Sequence, residues 1–345
     1  MKKLISLLLV LTLFVGLVGC TAESEPKVSE TTVETTLEQA TTAETEQTEP
    51  EETEPEQTEP EGTPSSPVLY KATDGNGHTV YMLGSIHVGT DVMYPLPQYV
   101  LDAYKESDAL AVELDIIAAN KDISGAMEMA KKMVLSDGTK ISDHISEDCY
   151  DRAVEILKEN KSYYKALDSY KPIMWYSLIS TLAMEECGAE SDRGIDMYFL
   201  EMAYDDDKTI YEVESAEFQY DLLSSMSMDL QVIMLEDTVA MYGTAGYNMS
   251  IRIMCNAWAT GNEEGLLNMS GGDTAGMSAE QAKLYEEFNS SLEGQRNIDM
   301  TKYAEDALLS GETVFIVVGA AHVFGDDGMA KSLEKLGYTV ERIQN

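Results

Sequence analysis

Two histidines occupy matching settings in distant parts of the sequence. His87 ends a Gly-x-x-His unit that begins at Gly84, and His322 ends a second unit that begins at Gly319. Each unit follows an apolar run that is typical of a buried β-strand. In open α/β sheets, ligand sites form at the carboxyl ends of the strands. The two units therefore predict that both imidazoles face one cleft.

Two glutamates are the candidate partners of these histidines. Glu113 follows the apolar run 109–112, and Glu214 closes the run 210–213. A carboxylate late in a buried strand is costly without a partner, which favours these two over the many surface acids. A structural ion pair is the alternative interpretation. Asp196 and Arg296 are expected to orient these groups or to hold a substrate carboxylate.

Imidazole nitrogens and carboxylate oxygens are the ligands of catalytic metal sites that keep an open position for water. This ligand type suits Mn, Co, Zn or Fe. The sequence has no serine in a nucleophile-elbow pattern, no glycine-rich phosphate loop and no His-Glu-x-x-His helix. Those absences exclude the commonest serine hydrolase, nucleotide-binding and zincin patterns.

The elements that must position these residues alternate between strand and helix, which favours an α/β fold with a mixed central sheet flanked by helices. A hairpin is predicted over 69–72 and 79–83, around a turn at 74–77. A large helical insertion is predicted over 124–242, interrupted by one strand at 209–214. The remaining predictions are helices at 97–106, 279–309 and after 328, and strands at 109–114, 313–318 and 339–343.

The first residues read as a lipoprotein signal peptide over 1–20. Lys2 and Lys3 precede an apolar run at 4–18, which is too short to span hydrocarbon. The run ends at Leu17-Val18-Gly19-Cys20, where a lipid-modified cysteine is expected. An ordinary secretory signal or an uncleaved anchor is the alternative. Lipidation at Cys20 predicts a membrane-anchored protein on the extracytoplasmic face.

Residues 21–66 consist almost entirely of Thr, Glu, Pro, Gln and Ala. Such a segment cannot bury enough apolar surface to offset chain entropy, and its like charges extend it. We expect a disordered acidic tether that acts as a spacer. Residues 67–345 then form a domain large enough for a sizeable core.

The chain carries a formal net charge of −39. This balance argues against nucleic acid as a partner, because phosphate binding requires clustered Lys and Arg. Cys149, Cys187 and Cys255 lack metal-like spacing and are expected to be buried small side chains without disulfides. His78 and His144 are expected to face solvent.

An ordered set of residues across 67–345 resembles the TraB/GumN (TraB/PrgY/GumN) family. The set comprises Gly84-Ser85-Ile86-His87-Val88-Gly89, Glu113, Lys171-Pro172, Trp175, Gly194-Ile195-Asp196, Glu214, Gln219, Arg296-Asn297, Val318-Gly319-Ala320-Ala321-His322, Gly325 and Gly328. The family often has leucine after the second histidine, where this chain has Val323. That departure affects packing more than chemistry.

The resemblance implies a fold related to erythromycin-esterase-like and Tiki-like proteins. It implies that His87 and His322 are metal ligands or catalytic histidines, and that Glu113 and Glu214 are ligand and general base in an order that stays open. Arg296 would stabilise an oxyanion or grip substrate. Tiki members are regarded as metal-dependent proteases, and TraB-type members are linked to shutting down peptide pheromones.

The predicted function is therefore a metal-dependent hydrolase, most simply a peptidase, that acts on a peptide or protein substrate outside the membrane. The alternative is a tethered module that binds or sequesters a peptide without cutting it. A structural or wall-associated protein fits the tether but leaves the His/Glu set unexplained. The sequence does not indicate an oligomeric state.

Overall fold

The computed structural model of the chain describes residues 63–270 and 278–344. The predicted signal peptide, Cys20 and residues 21–62 of the predicted tether lie outside the described residues. Ser65 is buried, its amide donates to the carbonyl of Pro95, and the amide of Ser66 donates to the carbonyl of Ala259. These two residues, placed in the tether by composition, already belong to the folded part.

A six-stranded mixed sheet forms the centre of the fold, in the order β4-β3-β5-β2-β1-β6. Strands β4, β3, β5 and β2 run parallel to one another, whereas β1 is antiparallel to both β2 and β6. This confirms the prediction of a mixed central sheet, while the relation to erythromycin-esterase-like and Tiki-like folds stays a prediction. The strands are β1 (Leu69–Thr73), β2 (Thr79–Ser85), β3 (Ala109–Val112), β4 (Thr209–Glu212), β5 (Val314–Gly319) and β6 (Thr339–Ile343).

The strands follow from local sequence. Every residue of β5 is buried, as expected for an apolar run covered on both faces of a parallel sheet. The β1–β2 hairpin turns at Asp74, whose Oδ1 accepts hydrogen bonds from the amides of Asn76 and His78. Gly77 completes the turn at φ 92°, a conformation that favours glycine. The predicted hairpin is confirmed.

The described residues contain α-helices of very different lengths. They are α1 (Gln98–Glu106), α2 (Ile116–Lys121), α3 (Ile123–Lys132), α4 (Glu147–Glu159), α5 (Pro172–Glu186), α6 (Ile195–Asp205), α7 (Ala216–Ser225), α8 (Met228–Met241), α9 (Ala245–Ala259), α10 (Glu263–Ser270), α11 (Ala279–Ser310), α12 (Ala320–Val323) and α13 (Met329–Leu336). None of the helices in the described ranges is long and apolar enough to cross a membrane.

Helical segments fill the chain on both sides of β4, between β3 and β4 and again between β4 and β5. Side chains from α4, α5, α7, α8 and α11 form an apolar core of their own, which includes the fully buried Trp175 and Met234. A second core covers the sheet and includes Phe199 and Phe315. The predicted helical insertion is thus a helical layer built from two segments.

The chain enters and leaves the fold at one corner. Leu69 of β1 pairs with Leu83 of β2 and with Ile343 of β6. The side-chain amide of Gln344 donates to the carbonyl of Ser66 at 2.8 Å. Because β1 is antiparallel to β2, this corner lies at the carboxyl end of β2.

Three sequence predictions need correction. Strands β3 and β4 end before Glu113 and Glu214, so that both glutamates follow the strands, and β4 is an exposed edge strand rather than a buried one. Cys149, Cys187 and Cys255 are unpaired as predicted, but Cys187 is only half-buried. His78 leaves 38% of its side chain exposed, as expected, whereas His144 is half-buried and lies 2.6 Å from the hydroxyl of Thr139.

Gly84 lies at a close approach between β2 and the chain that follows β5. A Cβ at this position would lie 2.8 Å from Cζ of Phe324 and 2.9 Å from Cα of Ala320. The second of these contacts is with backbone, which cannot rotate away. Only glycine therefore allows this packing beside His322.

We predict that Gly84→Ala lowers the free energy of unfolding by about 1–3 kcal/mol, because the added methyl overpacks the core. Urea denaturation of the two proteins measures the difference. Gly75→Ala is the matched control, since no atom lies within 4 Å of a Cβ at that turn position. Equal losses in both variants would contradict the packing argument.

Candidate active site

The four parallel strands deliver the candidate residues to one edge of the sheet. Along the sheet the strands lie in the order β4, β3, β5, β2, and each is followed by one candidate residue. In the same order these residues are Glu214, Glu113, His322 and His87. Since parallel strands share their carboxyl edge, residues that are far apart in sequence become neighbours. The structure thus brings together all four residues that the sequence pattern selected.

The two Gly-x-x-His units are not equivalent in register. Ser85 pairs with Gly319, so the first glycine lies within β2 and the second is the last residue of β5. His87 consequently lies in the loop after its strand, whereas His322 lies in the short helix α12. The two imidazoles reach the cluster from different backbone conformations.

A buried guanidinium holds the two glutamates together. Arg296 on α11 donates from Nη2 to Oε2 of Glu113 and to Oε2 of Glu214, both at 2.8 Å, and from Nε to Oε1 of Glu214 at 2.5 Å. Its Nη1 donates to the carbonyl of Leu292 at 3.2 Å. Because guanidinium has five N–H donors, these bonds leave one available. The predicted oxyanion role of Arg296 rests on that single donor.

Backbone and amide groups complete the environment of Glu113. The amide of Gly319 donates to its Oε1 at 2.7 Å. Gln219 on α7 donates from Nε2 to Oε2 of Glu214 at 2.9 Å and to Oε2 of Glu113 at 3.4 Å. These bonds fix the Gln219 amide, whose buried Oε1 has no partner among the described residues.

His87 is oriented by the first turn of α6. Its Nδ1 lies 2.8 Å from Oδ2 of Asp196, and the hydroxyl of Ser85 donates to Oδ1 of the same carboxylate at 2.6 Å. Gly194 makes this approach possible, because a Cβ there would lie 2.8 Å from the carbonyl carbon and oxygen of His87. The prediction that Asp196 orients a site group agrees with this contact.

His322 is oriented by an amide rather than a carboxylate. Its Nδ1 lies 2.6 Å from Oδ1 of Asn297, whose Nδ2 donates to the carbonyl of Asp327 at 3.1 Å. Since Asp327 accepts from the amide nitrogen, the amide oxygen faces the imidazole, and Nδ1 of His322 carries the proton. Its Nε2 lies 3.9 Å from Oε1 of Glu113.

The two imidazoles have opposite pKa shifts. Burial lowers the pKa of His87, but the Asp196 carboxylate and then Glu113 outweigh burial and raise it to about 9. Burial lowers the pKa of His322 to about 4, with only partial compensation from Glu113. Environments that push two titratable groups apart are the usual basis of acid and base assignments.

The glutamates also differ. Burial raises the pKa of Glu113, but Arg296, His322 and His87 together outweigh it and bring this pKa below its usual range. Burial raises the pKa of Glu214, and the Arg296 hydrogen bonds oppose this rise. The negative charge of Glu113 adds to the effect of burial, so the pKa of Glu214 stays above its usual value. Glu113 is therefore the firmly ionised member of the pair.

The donor atoms of the site, as they are arranged, do not form the ligand set of a divalent metal. Both imidazoles have Nδ1 held by a partner, which is the usual outer-shell arrangement around a metal-ligating histidine. The carboxylates of Glu113 and Glu214 are occupied by Arg296, however. Across residues 63–270 and 278–344, no three His, Cys, Asp or Glu side chains converge as a metal site. The side chains as arranged do not fit a metal, and metal binding stays a prediction.

Three site residues had no assigned role at the sequence level: Asn297, Gln219 and Ser85. Asn297 and Gln219 belong to the resemblance set, and Ser85 lies inside the first Gly-x-x-His unit. Membership of that set was the one feature of the sequence that could have marked these three as site residues. Ser85 meets Asp196 at a separation of 111 positions and Gln219 meets Glu113 at 106, so the tertiary fold supplies these partners, whereas Asn297 meets His322 at a separation of 25.

Together the fold and the site define a mixed α/β protein with a buried His/Glu/Arg cluster at the carboxyl edge of its sheet. The chain belongs to the TraB/PrgY/gumN family, whose model matches residues 68–342. The resemblance inferred from the residues is therefore confirmed.

Two curated relatives from Shigella flexneri and Escherichia coli (strain K12) are described as "Uncharacterized protein YbaP". Each is 26% identical to this chain over 181 residues. The match covers 52% of this chain and 63% of each relative, so the chain spans less than two thirds of their length. No solved structure matches the chain.

We predict that Arg296→Met lowers the free energy of unfolding by about 3–5 kcal/mol, because it leaves two buried carboxylates without their cation. Urea denaturation measures the loss. Arg252→Met is the control: Arg252 is exposed on α9, so its loss should change stability by no more than about 0.5 kcal/mol. Similar midpoints for the two variants would show that the cluster does not depend on Arg296.

Proposed function

We propose that this chain is a hydrolase that cleaves peptides. The observation that carries the proposal is that each imidazole is held through Nδ1 by a polar side chain from another part of the chain, Asp196 for His87 and Asn297 for His322. A neutral imidazole held in this way presents an unprotonated Nε2. This applies to His322, whereas the raised pKa of His87 keeps that imidazole protonated, and one proton acceptor and one proton donor beside an ionised glutamate suit acyl transfer to water.

His322 is the candidate general base. Its Nε2 is directed toward Glu113, and the neutral Asn297 does not favour the imidazolium as a carboxylate would. A water held there would give its proton to Nε2 while its oxygen attacks the peptide carbonyl. His87, paired with Asp196, is the candidate donor of a proton to the leaving amine.

Glu113 and Glu214 are better assigned to holding the site than to moving protons. Each accepts hydrogen bonds from Arg296, and Glu113 also accepts from the backbone amide of Gly319. The rotamers of these groups are thereby fixed before substrate arrives, which is a condition for efficient catalysis. The sequence left open which of the two glutamates is the general base. In this proposal neither is, and His322 takes that role.

The extracytoplasmic location is part of the proposal and rests on the predicted signal peptide and lipid site at Cys20. The peptide substrate is supported by the family resemblance. Dependence on Mn, Co, Zn or Fe is kept as a separate prediction, because no step above requires a metal.

Binding of a peptide without cleavage is the second candidate. It is favoured by the occupation of both carboxylates by Arg296, which leaves the site with little free hydrogen-bonding capacity. In that case the imidazoles would contribute contacts rather than proton transfer. Their removal would then weaken binding modestly and abolish no reaction.

We predict that His87→Ala and His322→Ala each lower kcat/KM for peptide hydrolysis by roughly 10²–10⁴-fold, the usual contribution of general acid–base catalysis. The purified full-length protein is assayed with fluorogenic peptides after chelator treatment, with and without each of the four metals. His78→Ala is the matched control, because His78 lies at the opposite end of β2 from the site. It should retain activity within about twofold.

Peptide affinity, measured by fluorescence anisotropy on the same proteins, separates the two candidates. Cleavage that both site variants lack supports the hydrolase. Peptide binding by an inert wild type, with similar affinity in both variants, supports the binding module. Cleavage that survives in both variants would remove the imidazoles from the mechanism.

A further inference from the structure

A pocket opens one residue beyond the two glutamates. Its volume is about 300 Å³, and it lies between the segment that follows β3 and the segment that follows β4. Apolar side chains form most of its wall, namely Leu114, Ile116, Ala126, Met129, Ala216 and Tyr220. The volume is at the small end of the range for ligand pockets, which suits one or two side chains rather than a large cofactor.

The pocket is continuous with the site along the chain. Leu114 follows Glu113, Ser215 and Ala216 follow Glu214, and Tyr220 follows Gln219, which binds both glutamates. Consecutive Cα atoms are about 3.8 Å apart, so the pocket begins within one residue of the carboxylate cluster. The pocket therefore lies on the same edge of the sheet as the His/Glu/Arg cluster, next to its two glutamates.

Several polar groups of the wall are already engaged within the protein. Oδ1 of Asp122 accepts from the amide of Gly125 at 3.0 Å, and the hydroxyl of Ser215 accepts from the amide of Phe218 at 3.1 Å. Glu217 pairs with Lys132 at 3.1 Å. These groups have less capacity left for a ligand, so the apolar wall supplies most of the contact.

The helices that form the wall also carry apolar side chains at the surface. Ile123 and Met127 on α3 are 64% and 62% exposed, and Phe218 on α7 is 43% exposed. The apolar surface here is not confined to the pocket. An extended chain could place one side chain inside it while its neighbours remain over apolar surface.

We propose that this pocket is the subsite that receives an apolar side chain of the peptide, of the size of leucine, methionine or phenylalanine, next to the bond that is cleaved. The proposal rests on the proposed function, since it names the substrate side chain that the site selects. Burial of that side chain against Met129 and Leu114 would hold the scissile carbonyl near the imidazoles. Peptides without an apolar residue at that position would be poor substrates.

The test uses fluorogenic peptides in which a single leucine is moved along an otherwise Ser/Gly sequence. With leucine at one position, kcat/KM of the wild-type protein should exceed that for the all-Ser/Gly peptide by at least about 10-fold. A single methylene in an apolar pocket already contributes about 10- to 200-fold. In Ala126→Phe, which fills the pocket, that preference should fall to within about threefold while cleavage of the all-Ser/Gly peptide is retained. Ser124→Phe adds the same ring on α3 at a residue outside the pocket wall, and should keep the preference.

Binding separates failure of the subsite from failure of the hydrolase. The same peptides are titrated by anisotropy against the His87→Ala, His322→Ala double variant, with and without Ala126→Phe. If wild type cleaves nothing but binding depends on leucine and on Ala126, the subsite stands and the hydrolase falls. Cleavage with no leucine preference, or a preference that Ala126→Phe leaves intact, overturns the subsite alone. If decanoate displaces the bound peptide while leucine has no effect on peptide affinity, the pocket binds an acyl chain, and the subsite proposal is overturned.

Discussion

The ion pairs between Arg296 and the two glutamates are the constraint on which the rest of the site depends. Two carboxylates buried at adjacent strand ends would repel each other in a medium that screens charge poorly. One guanidinium between them removes this conflict and ties α11 to the ends of β3 and β4. The geometry of β3, β4 and β5 near their ends is consequently fixed by electrostatics as much as by apolar packing. The backbone bond from Gly319 to Glu113 extends the same constraint to β5.

The imidazoles are held by a different device. Each takes its orientation from a side chain that lies in a helix, Asp196 in α6 and Asn297 in α11. A carboxylate and an amide have nearly the same shape but differ by one charge, so the two histidines sit in electrostatically unequal surroundings. The asymmetry arises from the partners and not from the two Gly-x-x-His units. Because α11 carries both Arg296 and Asn297, one helix serves both the carboxylates and one imidazole.

Much of this arrangement could be predicted from the sequence. Glu113 was identifiable because it follows the buried apolar run 109–112, where a polar group needs a partner. The same argument selected Glu214, although β4 is an exposed edge strand. The helices around Trp175 and Met234 were identifiable from apolar periodicity. The different settings of His87 and His322 could not be predicted, since they depend on which side chains of α6 and α11 meet each imidazole in the tertiary fold. The pocket could not be predicted either, because its walls come from two segments that only the tertiary fold brings together.

The corner where the chain enters and leaves the fold has a consequence for where the preceding segment lies. Ser66 and Gln344 meet beside the carboxyl end of β2, on the same edge of the sheet as the His/Glu/Arg cluster. The segment that precedes Ser66 therefore joins the fold on the edge that carries the cluster. A group attached to the chain just ahead of Ser66 would start nearer to the cluster than a group attached at the hairpin turn at Asp74, which lies at the other end of β1 and β2.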